Sequence, residues 1–194
     1  MIGLSRELSA TIQSAETGAK ESGVNIPIQF VDSCSASMGE GINVLVAAQM
    51  LIDNPQITLD ELARKTNEWA GRTRVFGALD TLENLKKGGR VSGAKAFFAS
   101  ALAIKPIIEV REGKIMEGGK ERTRSKALAL LIEKVKSAGP ITNLAVLHAQ
   151  CSDLDMFLEQ LKSVYSGEII VGEVGSVIGS HTGVGTMGVT FHVK

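Results

Sequence analysis

The sequence has few aromatic residues, no excess of charge of either sign and no long apolar run. Aromatic residues make up 4% of the 194 residues, which argues against a stacking platform for single-stranded nucleic acid. Lysine plus arginine and aspartate plus glutamate both number 21, so the formal net charge is zero. General nucleic-acid binders neutralise phosphates with an excess of cations, so we expect no nucleic-acid partner.

Cysteine is scarce as well. Cys34 and Cys151 are far apart and form no C-x-x-C pair, a pattern typical of reduced thiols in the cytoplasm. The three histidines are not spaced like metal ligands, so we expect no metal. No apolar run approaches the ~20 residues of a membrane span, and charged residues interrupt the start, so we expect neither a transmembrane segment nor a signal peptide.

Hydrophobic periodicity predicts alternating strands and helices in the first part of the chain. Residues 1–4 resemble the end of a strand, and a helix is predicted over 5–22 with Ser5 as its N-cap. A strand over 26–31 and an apolar helix over 39–53 follow. This order is typical of a parallel α/β layer.

The later part of the chain favours an α+β arrangement with a largely antiparallel sheet. Thr58 and Glu61 have the spacing of a capping box at the start of a helix, and residues 106–110 and 114–116 form a predicted hairpin around 112–113. The remaining predicted elements are strands over 74–79, 143–149, 169–174 and 189–193, and helices over 82–86, 94–103, 123–137 and 153–165. We place a soft domain boundary near residues 72–76.

The run of residues 179–188 (GSHTGVGTMG) is rich in glycine and holds His181 between two hydroxyl residues. Such a loop can present hydrogen-bond donors to an anion, or it can be a surface hairpin with an exposed histidine. Its G-x-G-x-x-G spacing does not indicate a dinucleotide site, because a strand-like segment follows it rather than a helix.

Several other features allow two interpretations. A stripe of apolar residues in the helix 94–103 is either core or the lining of a slot for an apolar ligand: Phe97, Phe98, Ala101 and Leu102. Basic residues near 120–126 are either a solvated helix start or a partner-docking patch. His148 is interpreted as a core or strand-end residue, and His192 is predicted to face solvent. A serine hydrolase would carry a G-x-S-x-G elbow, which is absent.

The chain resembles the DegV family, the fatty-acid-binding proteins that serve bacterial fatty-acid kinase. The matching segments occur in the family's order: LSRELSATIQSA (4–15), VDSCSASMG (31–39), DTLE (80–83), KGGRVSG (87–93), IKPI (104–107) and IGSHTG (178–183). Each segment alone is weakly specific, and together they cover nearly the whole chain.

The resemblance implies the two-domain α/β architecture of the family, the EDD fold. We expect a partial parallel α/β domain over 1–74, in which the family's first strands are missing, and an α+β lipid-binding domain over 75–194. The family binds a long-chain fatty acid with its carboxylate near the domain junction. A separate kinase phosphorylates that carboxylate, so the resemblance implies a cytoplasmic carrier without a cofactor or a catalytic nucleophile of its own. It is also compatible with transient contact with a membrane surface.

By resemblance, the carboxylate site falls on Ser5 or Ser9, His181, Thr182 and Arg90, and the choice between the two serines stays open. Phe97, Phe98, Ala101 and Leu102 would line the acyl chain, and Arg122 and Arg124 would contact the kinase. A helix N-terminus and hydroxyl groups favour a carboxylate, while each buried methylene of the tail contributes about 0.8 kcal/mol.

One departure from the family concerns length. Members have an N-terminal part of roughly 85 residues that has no counterpart here, including a segment that donates a threonine to the carboxylate. Two alternatives therefore stay open beside the carrier hypothesis: a small hydrolase that uses serine and His181, and a truncated fragment without independent function.

Overall fold

A computed structural model describes residues 1–90 and 104–194 of the chain. Within these residues the chain forms seven helices and eight strands, arranged in a two-stranded and a six-stranded sheet. The predicted helix 94–103, with its four candidate acyl-chain residues, lies outside the described residues. Within the described ranges no helix is both long and apolar enough to cross a membrane.

The first part of the chain is a small parallel α/β layer, as the sequence predicted. Two short strands pair in parallel, Ile2 with Val31 and Gly3 with Asp32. Three helices complete the layer. The elements are β1 (Ile2–Gly3), α1 (Thr11–Glu21), β2 (Val31–Asp32), α2 (Met38–Asp53) and α3 (Leu59–Arg72).

Two predicted boundaries in this layer were wrong. The helix predicted over 5–22 begins only at Thr11, because the backbone of 5–9 forms a turn in which the Ser5 carbonyl accepts from the N–H groups of Leu8 and Ser9. The strand predicted over 26–31 is reduced to β2, because β1 offers a partner for only two residues. The Thr58 cap is confirmed: its side chain accepts from the N–H of Glu61 at 3.3 Å.

The second part is the predicted α+β unit built on a largely antiparallel sheet. Its strand order is β5-β4-β3-β8-β6-β7, and only β6 and β7 are parallel. The elements are β3 (Thr73–Ala78), α4 (Glu83–Lys87), β4 (Lys105–Arg111), β5 (Lys114–Glu121), α5 (Arg124–Ser137), β6 (Ile141–His148), α6 (Leu154–Lys162), β7 (Ile170–Glu173), α7 (Ser176–Thr182) and β8 (Met187–Val193). The β4–β5 hairpin turns at Glu112 and Gly113, both with positive φ. The boundary predicted at 74/75 stays a prediction, and β3 runs across it.

The two faces of the six-stranded sheet have different roles. One face carries the main core, in which α5 and α6 cover large side chains such as Phe76, Val189 and Phe191. Side chains alternate along a strand, so Val75, Gly77, Gly188 and Thr190 belong to the opposite face. That face carries a smaller cluster of apolar residues: Leu79, Leu82, Leu85, Ile108, Val110 and Ile115.

The prediction that His192 faces solvent was wrong. Alternation does place it on the opposite side of β8 from Phe191, but α2 and α3 cover that side, and His192 is 0% exposed. Its ring meets Trp69 edge-on with the centroids 4.8 Å apart. Burial, with a smaller contribution from the charge of Arg72, lowers the pKa of His192 to about 4, so its imidazole is neutral near pH 7.

Candidate ligand-binding site

A mostly apolar cavity of about 190 Å³ lies on the second face of the six-stranded sheet. The sheet forms its floor, and the start of α2, the turn before α1, α4 and α7 form its walls. The apolar lining residues include Leu4, Leu8, Leu85, Ile108, Val110, Ile115, Val177 and Ile178. A cavity of this kind accommodates an apolar ligand and fixes its orientation through a few polar groups.

The floor is hollow because two glycines are direct neighbours across adjacent strands. Gly77 on β3 is paired in register with Gly188 on β8, and Leu147 on β6 is paired with Gly188 on its other side. Both glycines line the cavity. A Cβ atom added at Gly77 would meet its nearest neighbour, Cγ1 of Ile108, at 3.5 Å. A Cβ atom therefore fits there without a clash, next to the space of the cavity.

Three of the polar lining residues lie near one another around Arg90. Its Nε donates to the carbonyl of Leu8 at 3.3 Å and its Nη1 to the carbonyl of Gly88 at 2.7 Å. Leu8 precedes Ser9, and Gly88 contacts the imidazole of His181. Ser9, Arg90 and His181 all line the cavity. The turn before α1, the end of α4 and α7 thus bring three potential donors to one part of an otherwise apolar space.

His181 lies in the last turn of α7 rather than on the glycine-rich loop that follows it. Its Nδ1 is buried and has no hydrogen-bond partner within residues 1–90 and 104–194. A buried polar atom without a partner is costly, and this nitrogen is enclosed against Gly88. The ring packs on Gly88, where an added Cβ would overlap Nδ1. Only glycine at position 88 therefore leaves room for the imidazole.

Ser9 and Ser5, which the sequence could not separate, have different surroundings. Ser9 lines the cavity, and its hydroxyl lies 2.7 Å from the hydroxyl of Thr11 and accepts from the Thr11 N–H at 3.3 Å. The Ser5 hydroxyl is buried, and it donates to the carbonyl of Gly113 at 2.8 Å. Ser5 is absent from the cavity lining. Its bond ties the turn before α1 to the β4–β5 hairpin.

The threonines of the site use their protons inside the protein. The Thr182 hydroxyl donates to the carbonyl of Ile178 at 3.2 Å, and the Thr186 hydroxyl donates to the carbonyl of Gly183 at 2.7 Å. Both residues line the cavity, but their hydroxyls present lone pairs rather than a free proton. Ser9, Arg90 and His181 are therefore better placed than Thr182 to donate to an anion.

Arg124 and Arg122 also differ in their surroundings. The Arg124 guanidinium makes a bidentate pair with Asp153, with N–O distances of 2.6 and 2.8 Å, and donates to the carbonyl of Gly185. It therefore holds the loop between α7 and β8 against the starts of α5 and α6. This pair lowers the pKa of the Asp153 carboxyl. Arg122 is exposed.

Replacing Arg124 with alanine is expected to destabilise the protein by about 2 kcal/mol, because it leaves the largely buried Asp153 carboxylate unpaired. Arg122→Ala is the matched control, and its effect should stay within about 0.5 kcal/mol because the side chain is on the surface. Urea unfolding at pH 7 measures both. The Asp153 contribution is present above the ordinary carboxyl pKa of 3.8 and is lost as the pH falls below it. Equal stabilities of the two variants would contradict this role of Arg124.

Within the described ranges, no group of three or more His, Cys, Asp or Glu side chains is placed to hold a metal ion. Cys34 is an exposed residue. Partial desolvation of its thiol, together with the nearby Asp32 carboxylate, raises the pKa of Cys34. A raised pKa disfavours the thiolate, which is the nucleophilic form.

Comparison with known proteins agrees with these features. The family model described as "Uncharacterised protein, DegV family" matches residues 1–194. The chain belongs to the DegV family. A DegV domain-containing protein of Streptomyces coelicolor is 37% identical over 191 residues, which are 96% of this chain and 66% of that protein.

Solved DegV-family structures share the fold. One from Thermus thermophilus, described as showing fatty-acid binding, is 30% identical, with a TM-score of 0.85 over 98% of this chain and 69% of the other. Another, from Ruminococcus gnavus with vaccenic acid, is 26% identical, with a TM-score of 0.84 over 97% of this chain and 70% of the other. The chain spans about two thirds of the length of these relatives.

Sequence reasoning missed three glycines that shape the site. Gly77 and Gly188 form its floor, and Gly88 supports the His181 ring. A glycine inside a strand pattern signals a bulge or a close approach of another group, so Gly77 carried a usable signal. The pairing of Gly77 with Gly188 required the strand register, which the sequence does not contain.

Proposed function

We propose that this protein binds a long-chain fatty acid in the cavity described above. The acyl chain lies over the floor formed by Gly77 and Gly188, and the carboxylate is held by Ser9, Arg90 and His181. The observation that carries the proposal is the combination of an apolar cavity with a group of donors that lie near one another. His181 lines the same cavity as Ser9 and Arg90.

The energetics fit a carrier of this kind. Each buried methylene contributes about 0.8 kcal/mol, so the tail dominates the affinity. A charge-assisted hydrogen bond to the carboxylate contributes about 1.5–3 kcal/mol and fixes which end of the acid enters first. Relatives that share the fold were solved with fatty acids, among them the Ruminococcus protein with vaccenic acid, which supports the ligand class.

We further propose that the bound acid is presented to a separate fatty-acid kinase, which phosphorylates the carboxylate. The protein then acts in the cytoplasm as a carrier and co-substrate rather than as an enzyme, with transient contact with a membrane surface during loading. Exposed Arg122 is the better candidate for contact with the kinase, because the Arg124 guanidinium is occupied by Asp153 and Gly185. The family resemblance supports this part of the proposal.

The carboxylate site is tested by comparing a free acid with its methyl ester. Ser9→Ala and His181→Ala are each expected to weaken binding of the acid about tenfold, the loss of one hydrogen bond to a charged group. Binding of the ester, which carries no charge, should change much less. Fluorescence displacement or calorimetry measures both ligands.

Ser5→Ala is the matched control, because Ser5 lies four residues from Ser9 and its hydroxyl points to Gly113 instead of the cavity. It should leave the acid-to-ester preference unchanged. An equal loss for acid and ester in the Ser9 and His181 variants would show that neither residue contacts the carboxylate. If only Ser5→Ala loses the preference for the acid over the ester, then Ser5 is the residue that contacts the carboxylate.

A further inference from the structure

A buried polar chain links α2 to the six-stranded sheet behind the cavity. The Asn43 amide nitrogen donates to the carbonyl of Gly39 at 2.7 Å and to the hydroxyl of Thr73 at 3.0 Å. Its oxygen lies 3.2 Å from Nε2 of His192, and Nδ1 of His192 lies 3.0 Å from the amide nitrogen of Asn143. Asn43 and His192 are both 0% exposed.

The hydrogen-bond directions in this chain are mutually consistent. Both amide protons of Asn43 are donated to oxygen atoms, so its Oδ1 is the acceptor for the N–H at Nε2 of His192. Nδ1 of His192 then carries no proton and accepts from the amide of Asn143. Asn143 has a φ of +53° and lies at the register shift between β6 and β8, which places its side chain toward His192. The neutral imidazole fits this pattern, because a doubly protonated ring would face the Asn143 amide as a second donor.

α2 packs against α3 and against strands β1, β3, β6 and β8. Its buried residues are Gly39, Ile42, Asn43 and Ala47, and Val46 and Met50 are half-buried. Val44, Leu45, Leu51 and Ile52 on the same helix are exposed. Apolar contacts tolerate small slides, whereas a slide by one residue would leave the buried polar groups of Asn43 and His192 unpaired, which is unfavourable.

The same helix forms a wall of the cavity. Residues Ser37, Met38 and Gly39 at the start of α2 line it, one turn before Asn43. On the sheet side, Thr190 lines the cavity two residues before His192. The Asn43–His192 bond therefore joins the two surfaces that enclose the cavity, close to the point where they meet.

We propose that the Asn43–His192 pair sets the position of α2 on β8 and thereby limits the length of acyl chain that the cavity accepts. This inference rests on the proposed fatty-acid binding and names the positioning residues of that site. The pair does not contact the ligand. It acts by holding the Ser37–Gly39 wall in place.

The test is the dissociation constant across a series of saturated fatty acids of increasing length. In the wild-type protein we expect affinity to rise about fourfold per methylene, since each contributes about 0.8 kcal/mol. Beyond a defined acid length the affinity should stop rising, and this length is called the break. The double variant Asn43→Leu, His192→Phe removes the Asn43–His192 pair and keeps apolar side chains of similar size, and urea unfolding measures any stability lost at the remaining Asn143 amide. In this variant we expect the break to move to longer acids, with the first disfavoured acid binding about tenfold better than in wild type.

Leu131→Ala is the matched control, because Leu131 is fully buried in the core on the other face of the sheet. It should lower stability without moving the break. A break at the same length in the double variant, or no break in the wild type, would overturn the inference while leaving fatty-acid binding intact. Absence of binding for every acid in the wild-type protein would instead overturn the proposed function.

Discussion

Replacing Gly77 with leucine is expected to lower the affinity for a long-chain fatty acid about 100-fold while the fold is retained. The leucine side chain would occupy the hollow over the paired glycines and displace about four methylenes of the tail. At about 0.8 kcal/mol per methylene the loss is roughly 3 kcal/mol, and every 1.4 kcal/mol is a factor of ten in affinity. The Cβ position itself is free of clashes, since its nearest neighbour is 3.5 Å away.

Two measurements separate a filled cavity from a damaged fold. Urea unfolding of Gly77→Leu should give a stability close to wild type, because the new side chain packs against apolar lining residues. Gly77→Ala adds only the Cβ atom, so its affinity should fall less than tenfold, about the contribution of one methylene. A leucine variant that binds as tightly as wild type would show that the acyl chain does not lie over this floor.

The second large effect concerns pH. Between pH 7 and pH 4 the free energy of unfolding is expected to fall by roughly 3 kcal/mol through His192 alone. Its pKa in the folded protein is about 4, against an ordinary value of 6.5. The unfolded chain therefore takes up this proton between pH 6.5 and 4 while the folded protein does not. Above the unfolded pKa, His192 does not lower the free energy of unfolding. Through this window the free energy of unfolding falls as the pH falls, and below about pH 4 His192 causes no further decrease.

The double variant Asn43→Leu, His192→Phe isolates this component, because other titrating groups are common to both proteins. The groups that face His192 are the amides of Asn43 and Asn143, the indole of Trp69 and the guanidinium of Arg72. The two amides and the indole carry no titrating group. The difference in unfolding free energy between wild type and variant, measured by urea titration, should therefore change across this window. Parallel curves for the two proteins would contradict the buried neutral histidine.

Elements of the fold that depend on local sequence patterns could largely be predicted from the sequence. The capping box at Thr58, the hairpin at Glu112 and Gly113 and the periodic helix over 123–137 all depend on residues close in the chain, and all were predicted. The helix start at Thr11 was not, because the turn before it is fixed by a bond from Ser5 to Gly113, more than 100 residues away. Long-range contacts of this kind leave no local pattern.

Residues of the candidate site could be named from the sequence, but their arrangement in space could not. Ser9, Arg90 and His181 were named from family resemblance, and the structure brings them to one part of the cavity. Separating Ser9 from Ser5 required knowing which hydroxyl faces the cavity. The buried position of His192 was missed because strand alternation shows only that it lies opposite Phe191. What covers that face depends on how α2 and α3 pack, which the strand sequence does not encode.

The most direct test of the account is native mass spectrometry of the protein purified from a bacterial host, before and after incubation with a supplied fatty acid. The account predicts a complex with one fatty acid per chain in the wild-type protein. It predicts little or none in Gly77→Leu, at equal stability of the two proteins. Equal loading of both proteins would contradict the proposed position of the acyl chain over Gly77. A wild-type protein that neither carries nor takes up a fatty acid would contradict fatty-acid binding by this protein.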